Sequence, residues 1–127
     1  MYALSTEHHT QTNSADKATN IAQHLAEHRL YGQAVIVADD PQAMLRQVQR
    51  AWRRVGRYTW LCSFAAAPPG DDVYAQVLIA TPAQCLRYPP LCATMYITCE
   101  IDRTDLHMMT SWMPRYGTVV FYPGVLA

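Results

Sequence analysis

A short buried strand followed by a capped helix constrains the fold of this chain more than any other stretch. The strand covers residues 34–38, an unbroken apolar run with three β-branched residues, which is typical of a strand covered on both faces. Asp40 stands where an N-cap is expected, and Pro41 stands at the first helical position, where its missing N–H costs nothing. The pattern predicts a helix from Pro41 to about Val55, ended by Gly56.

One side of that helix carries a series of arginines. At 100° per residue, the apolar side chains fall on the opposite side, and the helix contains no acidic residue. Two like-charge pairs four residues apart each cost about 0.2–0.5 kcal/mol. Half of the ten basic residues of the chain lie within residues 46–57. We call this set the arginine row: Arg46, Arg50, Arg53, Arg54 and Arg57.

The arginine row has two interpretations. It is a solvated outer face, neutralised by acids elsewhere in the fold and complementing the C-terminal end of the helix dipole. Alternatively, it is a binding surface, because each guanidinium offers a planar, bidentate donor to phosphate or carboxylate. The second interpretation predicts a small, non-catalytic binding or accessory protein whose partner is nucleic acid or an acidic protein.

Composition limits the class of protein. The chain has 127 residues, enough for one domain, and half of them are hydrophobic. The formal net charge is zero, which argues against general binding of polyanions and confines any such binding to a local patch. Because the first residues are polar and no run is long enough to span a membrane, we expect neither a secretory leader nor a membrane-spanning segment. We therefore expect a cytoplasmic protein with reduced cysteines.

Alternating helices and strands predict the fold class. We expect a flexible polar tail over residues 1–13 and a single α/β (or α+β) domain over 14–127. Its mixed sheet would have about five strands, with two to three helices packed on it, and a ferredoxin-like split β-α-β arrangement is one candidate. The expected strands are residues 34–38, 58–64, 73–80, 93–101 and 118–122, with the second and third forming a hairpin with a long loop. Apolar and polar residues alternate in the fourth, which predicts a sheet with one partly solvated face. The expected helices are residues 15–30, 41–55, 82–87 and a last one that ends near 112.

Two motifs resemble known families. His24-Leu25-Ala26-Glu27-His28 resembles the H-x-x-E-H zinc motif of pitrilysin-type peptidases, which implies two histidine ligands and a glutamate base. Those peptidases have strands before the motif helix, whereas a polar segment precedes it here. We therefore interpret this stretch as a surface helix with two exposed histidines.

The strand that ends in Asp39-Asp40 is similar to the first strand of response-regulator receiver domains. That resemblance implies a magnesium-binding acidic pair, together with a phosphoacceptor aspartate and a lysine on later strands. The third-strand position offers no aspartate, and Lys17, the one lysine, lies upstream of the pair. We interpret the acidic pair as the cap of the following helix.

Two alternative functions stay open. One is a protein–protein or homo-oligomerisation module that uses an aromatic and edge-strand surface around Tyr96 and Tyr116. The other is an enzyme with a cleft that contains Cys85, Cys92 and His107, because a cysteine nucleophile requires a nearby base. The chain has no glycine-rich phosphate loop, and the cysteine spacing does not match a zinc site, so we expect no cofactor and no metal.

Overall fold

Six short strands and four helices alternate along the chain in the computed structural model, which describes residues 5–8, 14–28, 32–55 and 61–122. The strands are β1 (Ser5–His8), β2 (Ala34–Val37), β3 (Phe64–Ala66), β4 (Val77–Ala80), β5 (Thr94–Ile97) and β6 (Thr118–Phe121). The helices are α1 (Ser14–Glu27), α2 (Pro41–Val55), α3 (Pro82–Arg87) and α4 (Arg103–Met109). The strands form one sheet in the order β1-β6-β5-β2-β4-β3.

All neighbouring strands run parallel. Right-handed crossovers place α1 and α2 on one face of such a sheet and α3 and α4 on the other. The helix contacts agree, since α1 packs against α2, and α3 packs against α4. The result is a three-layer α/β domain, so the predicted fold class is confirmed.

The centre of the sheet is the strand that the apolar run predicts. All four residues of β2 are buried between β4 and β5. Helix α2 begins and ends as predicted, and the Ala43 amide donates to Asp40 Oδ1 at 3.1 Å. Met44, Val48 and Ala51 are buried, which leaves the opposite side of α2 facing solvent.

The predicted hairpin is wrong, and so is the mixed sheet. Strand β3 pairs with β4 in parallel, with Phe64 opposite Val77, and β3 begins near the end of the predicted 58–64 strand. The intervening residues 67–76 are numerous enough to carry the chain back along the sheet without a helix. They do so with Ala67 buried against the core and with Gly70 at φ 88°. An all-parallel sheet also excludes the ferredoxin-like arrangement.

A second difference concerns the strand expected to have one wet face. Strand β5 lies between β2 and β6, and helices cover both sides of the sheet. Tyr96 is therefore 0% exposed and Thr98 only 7%. Period-two alternation of polar and apolar residues indicated a half-exposed strand, but here the polar side chains make internal hydrogen bonds. Thr98 Oγ1, for example, donates to the Val37 carbonyl oxygen at 2.7 Å.

The N-terminal segment contributes a strand that the sequence did not suggest. Ser5–His8, inside the segment expected to be a flexible tail, forms β1 at the sheet edge and pairs in parallel with β6. The pairing uses backbone groups, so it needs no apolar side-chain pattern. The rest of the 1–13 segment lies outside the described residues.

The two short helices have caps that local sequence predicts. Thr81 and Gln84 form a capping box at the start of α3, with the Gln84 amide donating to Thr81 Oγ1 at 3.2 Å. Asp102 caps α4, accepting from the Asp105 amide at 2.8 Å. Helix α4 ends at Met109, before the expected 112. None of the described helices has the length and apolar character needed to cross a membrane.

Candidate anion-binding site

The arginine row lies on the solvent side of helix α2. Its four described members, Arg46, Arg50, Arg53 and Arg54, are all exposed, and Arg57 lies outside the described residues. Arg46, Arg50 and Arg54 follow one another at four-residue intervals, about 6 Å apart along the helix axis. The geometry is therefore a short, straight series of positive groups.

No carboxylate neutralises these four arginines within the part of the chain that the structure describes. Neither an ion pair nor a hydrogen bond joins them to another described residue. Helix α2 itself contains no acidic residue. Each guanidinium therefore keeps its donors for groups outside the described protein surface. The arrangement suits an anion that presents several oxygens along a line.

A cavity opens beside one end of the row. It has a volume of about 340 Å³ and lies between the second half of α2 and the segment that leads into β3. Trp52 and Phe64 form its aromatic part, with ring centroids 6.0 Å apart in an edge-to-face arrangement. The lining residues are Gln49, Trp52, Arg53, Cys62, Ser63 and Phe64.

The β3 side of this cavity is held by a reciprocal pair of hydrogen bonds. The Ser63 amide donates to Gln76 Oε1 at 3.1 Å, and the Gln76 amide donates to Ser63 Oγ at 3.0 Å. Burial raises the pKa of the neighbouring Cys62 thiol to about 11, so this thiol is neutral at physiological pH. The cavity wall therefore carries positive charge from Arg53 and no negative charge.

A second polar cluster lies at the carboxyl edge of β2 and β5. These adjacent strands lead into helices on opposite faces, which is where open α/β sheets usually bind ligands. The Lys17 ammonium donates to the Thr98 carbonyl oxygen at 2.9 Å. Burial, with Asp39 beside it, raises the pKa of the Cys99 thiol to about 12.

This edge brings together a lysine and the acidic pair noted for its receiver-like sequence. The sequence does not predict this arrangement, because Lys17 is held there by the Thr98 carbonyl, which lies 81 positions further along the chain. The lysine is engaged by a backbone carbonyl, Asp40 caps α2, and the thiol is protonated. The described residues include no group of three or more His, Cys, Asp or Glu side chains suited to a metal ion.

The two histidines of the H-x-x-E-H motif stack on each other, and one of them contacts a buried tyrosine. His24 Nδ1 lies 2.7 Å from the buried Tyr96 hydroxyl, and the His24 and His28 rings stack with centroids 4.3 Å apart. His28 is exposed as predicted, whereas His24 is half-buried, so the expectation of two exposed histidines is wrong for one of them. The Tyr96 hydroxyl, brought in by β5, is what draws His24 inward.

The residues suggested for the two alternative functions, a cysteine–histidine cleft and a tyrosine surface, differ in their exposure to solvent. Cys85 and Cys92 are fully buried, and burial raises the pKa of each thiol to about 12, whereas His107 is exposed on α4. The structure thus does not bring them together as a reactive cleft. Of the two tyrosines suggested for an interaction surface, Tyr96 is in the core and Tyr116 is 74% exposed.

Comparisons with protein-family models, with curated proteins and with solved structures found no match to this chain. The functional argument therefore rests on the geometry of its own residues.

Proposed function

We propose that this protein is a binding protein that contacts nucleic acid through the arginine row of α2. The supporting observation is that four exposed arginines lie on one helix face without an ion-pair partner among the described residues. An unpaired row is costly to the isolated helix, because like charges four residues apart repel. A phosphate backbone would remove that repulsion and accept charge-assisted hydrogen bonds.

The regular spacing favours a repeating anion over a single carboxylate. Each turn of α2 presents a further guanidinium, and a nucleic-acid strand presents a further phosphate at each nucleotide. Because the net charge of the chain is zero, the attraction is local to this face. An acidic segment of a partner protein presents a related pattern, and it serves as a competitor in the test.

The test measures binding of labelled single-stranded and duplex DNA by fluorescence anisotropy at low salt. The double variant Arg46→Gln/Arg50→Gln should weaken binding by about tenfold or more, equivalent to about 1.4 kcal/mol. The matched control is Arg103→Gln/Arg115→Gln, which removes the same charge from exposed positions outside α2. Equal losses in both variants, or no binding to either DNA, would contradict the proposal.

A second candidate function is self-association through the α3–α4 layer. Tyr88 and Trp112 meet edge to face with centroids 5.9 Å apart, and both are about half exposed. Exposed aromatic pairs are common at protein interfaces. Light scattering over a range of concentrations tests this candidate. A mass that stays monomeric at every concentration, both in the wild type and in Trp112→Gln, would exclude it.

A further inference from the structure

We propose that the cavity beside Arg53 receives one unpaired nucleobase, so that the partner of the arginine row is a single-stranded nucleic acid. This inference rests on the proposed function and names the class of ligand. Its basis is the juxtaposition of a cavity lined by aromatic side chains and a cation without an ion-pair partner among the described residues, since Arg53 belongs both to the cavity lining and to the arginine row.

Two aromatic side chains line the cavity. Trp52 and Phe64 are both half-buried rather than sealed in the core. The volume of about 340 Å³ lies in the range of small-molecule sites. Proteins that bind single strands without sequence preference combine such side chains with a basic groove, because every base has a π face on which an aromatic ring can stack.

The polar part of the cavity suits the edge of a base. Gln49 supplies an amide with both donors and an acceptor. Ser63 Oγ already accepts from the Gln76 amide at 3.0 Å, which leaves its own hydrogen available to donate. This pairing also fixes the position of the Ser63 side chain. The edge strand and the helix thus present hydrogen-bonding groups around one aromatic surface.

The cavity favours a single strand over a duplex as the ligand, because only an unpaired base can enter it. If the base occupies the cavity, its phosphate comes near Arg53, and the neighbouring phosphates follow Arg50, Arg54 and Arg46 along α2. In a duplex the bases are stacked and paired, so none can enter a cavity of this kind without being flipped out. Pure phosphate binding, in contrast, has no need for an unpaired base.

The test compares ligands and leaves the protein unchanged. Four probes of equal length are measured by anisotropy: single-stranded DNA, single-stranded RNA, a DNA strand with abasic sites throughout, and duplex DNA. Stacking of one base predicts that the abasic strand binds about 5- to 150-fold more weakly than the intact DNA strand. The RNA arm distinguishes the two natural sources of single strands.

A protein variant gives an independent readout. Trp52→Leu should remove most of the difference between intact and abasic strands, whereas Trp112→Leu, on the other layer, should leave it unchanged. If Trp52→Leu does not fold, ultraviolet cross-linking of the unmodified protein to the intact strand should place the cross-link in the Gln49–Arg53 or Cys62–Phe64 segments.

The outcomes separate the two proposals. If intact, abasic and duplex probes bind equally, or the duplex binds best, the base pocket is refuted while the role of the arginine row stands. If no nucleic acid binds at low salt, both proposals fail. If polyglutamate binds more tightly than every nucleic-acid probe, the partner is an acidic protein and the base pocket is again refuted.

Discussion

At the scale of single residues, the cysteines show most directly how the fold limits chemistry. Cys85 and Cys92 are completely buried, Cys99 is nearly so, and Cys62 is half-buried at the cavity wall. A buried thiolate lacks the solvation it has in water, so burial favours the neutral thiol. The thiolate is the reactive form of cysteine, and all four side chains therefore behave as hydrophobic groups at neutral pH.

This burial predicts the order of chemical labelling. With iodoacetamide at pH 8, Cys62 should react first and slowly, because the pKa of its thiol is raised to about 11. Cys85 and Cys92 should react only after unfolding. Mass spectrometry of labelled peptides gives the order. Rapid labelling of Cys85 or Cys92 at pH 7 in the folded protein would instead support the cysteine-enzyme alternative.

The same thiols predict how stability changes at alkaline pH. Burial raises the pKa of both Cys85 and Cys92 from 9.0 to about 12 in the folded state. The contribution of these two neutral thiols to the stability of the fold is complete below pH 9. It is lost as the pH rises from 9 towards 12, because in that range the thiols ionise only in the unfolded state. Each thiol should lower the free energy of unfolding by about 1.4 kcal/mol per pH unit in that window.

Urea unfolding of the wild type and of Cys92→Ala at several pH values between 8 and 10 measures this effect. The variant is less stable overall because it leaves a cavity, but its stability should fall less steeply with pH. An identical pH dependence in the two proteins would show that Cys92 does not ionise in this way.

At the scale of secondary-structure elements, local signals account for the helices. Asp40-Pro41 begins α2 and Thr81-Pro82 begins α3, as the capping and proline preferences indicate. In α3 the two side chains of the capping box satisfy amides that the helix itself cannot. Elements whose signals lie within a few residues were therefore predictable from the sequence.

The α3 capping box yields a prediction for that element. Thr81→Ala removes the acceptor of the Gln84 amide and should lower the free energy of unfolding by about 1 kcal/mol. Thr81→Ser, which keeps the hydroxyl, is the control and should change it by much less. Chemical denaturation measures both. Equal losses in the two variants would mean that the threonine methyl group, and not the cap, provides the stability.

Pairing between strands was the part that local sequence did not predict. A hairpin with a long loop would make these two neighbouring strands antiparallel, whereas the ten-residue return makes them parallel. The intervening Pro-Pro-Gly segment is compatible with both connections. Strand β1 pairs with β6 through backbone groups, and its sequence has no apolar pattern. The contact of Lys17 with Thr98 and the approach of Phe64 to Trp52 likewise depend on strand order.

The candidate site likewise has one part that was predictable from local sequence and one part that was not. The exposure of Arg46, Arg50, Arg53 and Arg54 follows from helical periodicity and was predictable from the sequence. The cavity beside Arg53 was not predictable, because its lining residues outside α2, Cys62, Ser63 and Phe64, lie nine or more positions further along the chain. Helical periodicity places Trp52 on the apolar side of α2. Its half-buried position and its contact with Phe64 depend on where β3 lies in the sheet.

At the scale of the whole molecule, the two exposed features lie on opposite layers of the sheet. The arginine row belongs to the α1–α2 layer, and the Tyr88–Trp112 pair belongs to the α3–α4 layer. The sheet between them has buried residues in every central strand. Nucleic-acid binding and any self-association should therefore be independent of one another.

This separation gives a prediction for the molecule as a whole. Trp112→Gln should leave the affinity for single-stranded DNA within about twofold of the wild type, since distant substitutions with no shared partners behave additively. Conversely, Arg46→Gln/Arg50→Gln should leave the light-scattering mass unchanged. Loss of DNA affinity in Trp112→Gln would show that the two layers are coupled, for example through a dimer that assembles the binding surface.

The salt dependence of single-stranded DNA binding tests the role of the arginine row most directly. The logarithm of the association constant should fall linearly with the logarithm of salt concentration, with a slope of about −0.7 per phosphate neutralised. Arg46→Gln/Arg50→Gln should make that slope shallower by about 1.4, whereas Arg103→Gln/Arg115→Gln should leave it unchanged. A slope that is the same in wild type and both variants, or an absence of binding at low salt, would contradict the account.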